Sequence, residues 1–150
     1  MDYSQGMAVA LEAARTAAAG EVPIGAALFA DDRLIAAAAN TCTMDANPLQ
    51  HAEMRVLHQA IPHLPQTAFR RATLYVTLEP CPMCMGAILQ CHLGRLVFGA
   101  YNLKWGCCGT VSDFSTLFPA QSLEIWGGIR EAECASLLAD FFDKIRKSEQ

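Results

Sequence analysis

Two short stretches of the chain hold residues of the types that bind metals and move protons. Pro80-Cys81-Pro82-Met83-Cys84 places two thiols three residues apart, and His51-Ala52-Glu53, upstream, offers an imidazole and a carboxylate. A CxxC alone serves a thioredoxin-like redox pair or half of a zinc site equally well. A four-cysteine zinc ribbon needs a second CxxC, which the sequence lacks, and the adjacent Cys107-Cys108 are poorly spaced to chelate one ion together. His51 can complete the set. One imidazole and two thiolates leave a fourth tetrahedral position for water, the pattern of a catalytic zinc, although the same donors also suit iron. Glu53 is too close to His51 in sequence for comfortable joint coordination. It suits instead the proton of a water that zinc acidifies towards a pKa of ~7.

These side chains need a frame. Residues 3–19 are Ala-rich, with Met7, Leu11 and Ala14 at helical spacing and Gly20 as a stop. Ile24–Ala30 and Leu34–Ala39 flank Asp31-Asp32-Arg33 as a β-hairpin. After a polar loop over 40–47, Pro48 is expected to open a helix to about Ile61 with Asn47 as its N-cap. Thr73–Leu78 reads as a strand, 82–91 as a helix, Arg95–Gly99 as a strand, 100–110 as a Gly- and Cys-rich loop, and Leu123–Trp126 as a last short strand. An amphipathic helix over Glu131–Arg146 closes the chain. Alternating strands and helices predict an α/β sheet covered on both faces. His51 and Cys81 then fall at helix starts reached from strand ends, where such proteins place their sites, and helix N-termini should lower the pKa of both thiols.

Composition narrows the classes. At 150 residues and 53% hydrophobic, the chain suits one domain over residues 1–150. No apolar run approaches membrane-spanning length, and Met1–Gln5 lacks a basic signal-peptide start, so a cytoplasmic protein is expected. In a reducing compartment, seven cysteines favour metal binding or buried thiols over disulfides; Cys42, Cys91 and Cys134 read as small packing residues. Net charge −4 opposes a general nucleic-acid binder. Residues 54–112, however, carry five basic side chains and one acidic, either a local phosphate-facing surface or scattered surface charge.

Paired with P-C-x-x-C, the H-x-E pattern is the signature of zinc nucleobase deaminases. A surface histidine beside two buried thiols, or a purely structural zinc staple, gives Glu53 no role. Beyond the motif, Gly20-Glu21-Val22-Pro23-Ile24-Gly25-Ala26, Asn40, Thr73–Cys81, Gly99-Ala100 and Phe141-Phe142 extend a resemblance to the cytidine-deaminase-like superfamily, and most closely to bacterial tRNA adenosine deaminases. The resemblance implies a three-layer αβα sandwich around a five-stranded mixed sheet, one zinc per subunit on His51, Cys81 and Cys84, and a homodimer. It implies hydrolysis of adenosine to inosine in a tRNA anticodon arm, with Glu53 moving the proton, Asn40 and the backbone near Ala52 holding the base, and Lys104 bordering the nucleic-acid path. Phe141 and Phe142 read either as core or as a stacking platform. The family's loop after Gly99-Ala100 usually carries an acidic residue, a proline and a lysine; Tyr101-Asn102-Leu103-Lys104 keeps only the lysine. This departure, with the acidic whole, keeps open a second substrate class: free guanine, cytosine or a modified purine, as base or nucleoside.

Overall fold

The computed structural model describes residues 1–117 and 122–149. Helix α1 (Tyr3–Arg15) starts in a capping box: Asp2 accepts from the Gln5 N–H and the Gln5 amide oxygen accepts from the Asp2 N–H, both at 2.8 Å. It ends at Arg15, short of the expected 19, because Thr16 turns its N–H and its hydroxyl back onto the Ala13 carbonyl and closes the last turn. Strands β1 (Gly25–Ala30) and β2 (Arg33–Ala39) form the expected hairpin. Asp31 and Asp32 both take positive φ, 50° and 60°, the pair of left-handed residues that a type I′ turn requires.

The helix expected from Pro48 begins later. Asn47 uses its side-chain oxygen on the Leu49 N–H in a turn, and α2 (Ala52–Ala60) starts with His51 as N-cap. Two short 3-10 segments, Ile61–His63 and Gln66–Arg71, lead into β3 (Ala72–Leu78). Then follow α3 (Pro82–Gln90), β4 (Arg95–Ala100), β5 (Glu124–Trp126) and α4 (Glu131–Ser148).

The sheet runs β2-β1-β3-β4-β5, with β1 antiparallel to both neighbours and β3, β4 and β5 mutually parallel. The ends of β2, β3 and β4 and the start of β1 therefore share one edge. Alternate side chains feed two cores. Leu28, Leu74, Val76 and Leu96 pack with Val56 and Leu57 of α2 and Met85 and Ile88 of α3; Ala27, Tyr75 and Val97 pack with Met7 and Leu11 of α1 and Cys134 of α4. This is the expected five-stranded mixed sheet between helical layers. Gly25 lets α1 approach closely, since a Cβ there would lie 2.1 Å from the Ala10 carbonyl oxygen. Among the described residues no helix is long and apolar enough to cross a membrane.

Leu74, fully buried at the centre of the larger core, anchors the strand that delivers Cys81. Leu74→Ala should cost about 2–5 kcal/mol, read as a lower urea midpoint at unchanged slope; an unchanged midpoint would contradict this packing.

Candidate active site

His51 and Cys81 are the N-cap residues of α2 and α3, both in extended conformation and neither using its side chain as a cap. Their side chains are therefore free to turn towards each other across the strand-end edge. Cys84 lies one helical turn after Cys81 on the same face of α3. The His51 Nδ1 stands 3.6 Å from the Cys81 sulfur and 3.5 Å from the Cys84 sulfur, and all three donor atoms fall within 4.8 Å of one another. Tetrahedral zinc, at its usual bond lengths to nitrogen and sulfur, separates those two donors by about 3.5 Å. The donor set fits the ion.

Charge is arranged for an ion. Cys81 is pulled down to about 4, first by a hydrogen bond from the Cys84 thiol and then by His51. His51 is raised in turn, chiefly through its bond to Cys81. Cys84 departs from the expectation that the helix N-terminus lowers both thiols. It is raised by its hydrogen bond to Cys81, by burial and by the charge of Glu53. Glu53, in the first turn of α2 and only 4% exposed, is pushed up by desolvation, with partial offsets from its own backbone N–H and from His51. It lies outside the ligand set. Its place is the floor of the cleft, beside His51 and Cys81.

That cleft holds about 430 Å³. Val22, Ile24 and Leu78 form apolar walls, and Tyr101, Leu103, Lys104, Trp105 and Phe142 form the rim. A neighbouring hollow of about 230 Å³ shares His51 and Glu53 and adds Asn40, Cys42 and Ala52. Asn40 and Ala52 thus sit on one side of the centre, and Lys104 and Phe142 on the other. Phe141 lies elsewhere: it lines a groove between the end of α1 and α4, and backs Phe142 edge-to-face with ring centroids 5.2 Å apart. Neither ring is core, because Phe142 is 47% exposed and Cys134 is the only buried residue of α4. Cys42 is not simple packing either; its thiol donates to the Asn40 side-chain oxygen at 3.2 Å.

Sequence reasoning missed two buried carboxylates. Glu21 accepts from Asn40 Nδ2 at 3.0 Å and from the backbone N–H groups of Thr43 and Met44. Glu79 accepts from the N–H groups of Asn102, Cys108 and Thr110 and from the Thr110 hydroxyl. The available signal was an acidic residue beside an apolar strand, as in Thr77-Leu78-Glu79-Pro80.

A histidine, two cysteines and a non-ligating glutamate at the strand-end edge of this sandwich define a deaminase of the cytidine-deaminase-like class. The chain belongs to the MafB19-like deaminase family, whose profile matches residues 1–146. It is 40% identical to the tRNA-specific adenosine deaminase of Bacillus subtilis (strain 168), over 93% of this chain and 87% of that protein. A solved structure from studies of A-to-I editing by tRNA:A34 deaminases superposes with TM-score 0.78 and 37% identity, over 90% of this chain and 99% of that one. Guanine deaminase from Nitrosomonas europaea shares the fold, with TM-score 0.79 at 23% identity over 93% of this chain and 84% of that one.

Wild-type protein refolded with zinc should retain one ion per chain after gel filtration, by elemental analysis. His51→Ala and Cys84→Ala should retain about tenfold less or none, whereas Cys107→Ser should match wild type. Full zinc retention by His51→Ala would contradict the assigned ligands.

Proposed function

We propose that the chain is a zinc-dependent hydrolase, one deaminase domain over residues 1–150, that converts adenosine to inosine at the wobble position of a tRNA anticodon. The observation that carries this reading is the likeness, over nearly its whole length, to the Bacillus tRNA-specific adenosine deaminase. The form of the site supports it. The cleft admits one base between apolar walls, and its rim presents half-exposed Trp105 and Phe142 rather than a closed lid. Such rings stack on neighbouring bases at about 1–3 kcal/mol each.

His51, Cys81 and Cys84 would hold the zinc, which supplies a water activated for attack near neutral pH. The residues of the chain do the rest. Glu53, buried and with raised proton affinity, takes a proton from the attacking water and delivers it to the ring nitrogen beside C6. It then carries the second proton to the leaving amine, so that a C–O bond forms at C6, the C–N bond breaks and ammonia departs. Asn40 retains one free amide N–H and one free lone pair beyond its bonds to Glu21 and Cys42, and offers them to the nucleoside. Lys104, its ammonium 5.8 Å from the Trp105 ring centre, would meet the phosphates of a bound strand. As the only Lys or Arg lining the cleft among the described residues, it implies a shallow salt dependence of RNA binding.

That single cation also favours a second reading, deamination of a free base or nucleoside. The assembly is proposed to be a cytoplasmic homodimer. Exposed Met44, Leu49 and Ile61, around the start and end of α2, support a second copy covering that side.

An anticodon stem-loop with adenosine at the wobble position should yield inosine, and Glu53→Gln should reduce the rate by a factor on the order of 10²–10⁴. No inosine above the Glu53→Gln background would sink the RNA reading. Ammonia release from guanine, cytosine or a modified purine, as free base or nucleoside, with the stem-loop inert, would establish the second.

A further inference from the structure

The loop that rims the cleft hangs from one buried carboxylate. Glu79 is 1% exposed and stands between the end of β3 and Cys81. One of its oxygens accepts from the Asn102 N–H at 3.2 Å and from the Thr110 hydroxyl; the other accepts from the N–H groups of Cys108 at 2.9 Å and Thr110 at 3.3 Å. Its main chain adds to the same join. The Glu79 N–H donates to Ala100, its carbonyl accepts from the Asn102 amide at 3.5 Å, and the next carbonyl, of Pro80, accepts from Cys107. Gly106 passes directly over the carboxylate, where a Cβ would lie 2.5 Å from the carboxyl carbon. Among the described residues no cation pairs with Glu79.

The donors come from both ends of the loop and leave its middle projecting. Leu103 is 84% and Trp105 55% exposed, and with Lys104 they form the rim opposite Glu53. A short segment pinned at both ends by charge-assisted bonds has little freedom left. The pin also sits two residues from Cys81, so the same bonds tie the rim to the turn that carries that thiol.

We propose that Glu79 is a positioning residue: its carboxylate fixes the rim of residues 101–110 at a set distance from the metal turn and so sets where the substrate lies over Glu53. Glu79 lines the cleft but lies outside the ligand set, and its carboxylate spends both oxygens on the loop. For its kinetic consequence the proposal rests on the deaminase reading above; for its structural content it does not.

Both parts are tested on zinc-loaded full-length protein. Glu79→Gln keeps shape but removes the charge and turns one acceptor into a donor facing N–H groups. Trypsin cleavage after Lys104, followed by mass spectrometry, should speed up about tenfold or more, while zinc content stays at one per chain. The kcat/KM for the stem-loop should fall about ten- to hundredfold, mainly through KM. Thr110→Ala, which removes one donor and spares the carboxylate, should shift both readouts part of the way, and Thr110→Ser should restore them. Folded Glu79→Gln with wild-type cleavage at Lys104 overturns the proposal. So does loss of zinc with the loop still protected, which would make Glu79 a support of the metal turn alone. Should wild type prove inert on RNA, the functional reading fails while the trypsin comparison still decides the role of Glu79.

Discussion

An imidazole and two thiols from segments thirty residues apart must be held within reach of a single point, and the fold is arranged around that demand. Zinc ligands tolerate misplacement of only tenths of an ångström, so neither segment can be a free loop. Each donor sits instead at the start of a helix anchored by its apolar face: His51 and Cys81 as N-caps and Cys84 in the first turn of α3. Val56 and Leu57 fix α2 on the sheet, and Met85 and Ile88 fix α3 beside it. The parallel run of β2, β3 and β4 brings the helix starts to one edge. Both helices begin without a side-chain cap, and the side chains that would have capped them turn towards one another instead.

Burial of charge is the second organising device. Three carboxylates lie close to His51, Cys81 or Asn40, and all are nearly inaccessible: Glu21, Glu53 and Glu79. An ionised carboxylate in such a place is costly unless hydrogen bonds replace its water. Glu21 and Glu79 are satisfied by N–H and O–H donors from flanking loops, so the same bonds that stabilise the charges shape the two walls of the site. Glu53 is treated differently. Burial raises its proton affinity, which suits the proton-carrying role proposed for it.

Much of this was legible in the sequence, because it is written in local patterns. The hairpin is announced by two aspartates between apolar runs, β3 by Thr-Leu-Tyr-Val-Thr, and the metal donors by their types and spacing. The start of α2 was not. Asn47-Pro48 looks like a helix opening, yet Asn47 spends its side chain on Leu49, and the chain turns once more before His51. Nothing periodic distinguishes those outcomes. Glu21 and Glu79 escaped for a related reason: their partners are backbone N–H groups, whose positions follow from loop conformation and not from residue type. The split between Cys81 and Cys84 was equally hidden. A helix dipole acts on both thiols alike, whereas the hydrogen bond between them lowers Cys81 and raises Cys84. Phe141 and Phe142, adjacent in sequence, face different grooves because consecutive helical residues point about 100° apart.

The central claim is that His51, Cys81 and Cys84 together hold a catalytic zinc with one position left for solvent. X-ray absorption at the zinc edge of the loaded protein measures this directly. Two sulfur neighbours at about 2.3 Å and two lighter neighbours at about 2.0–2.1 Å are expected, with the sulfur count falling to one in Cys84→Asp. A shell of three or four sulfurs, drawn from Cys42, Cys107 or Cys108, would contradict it.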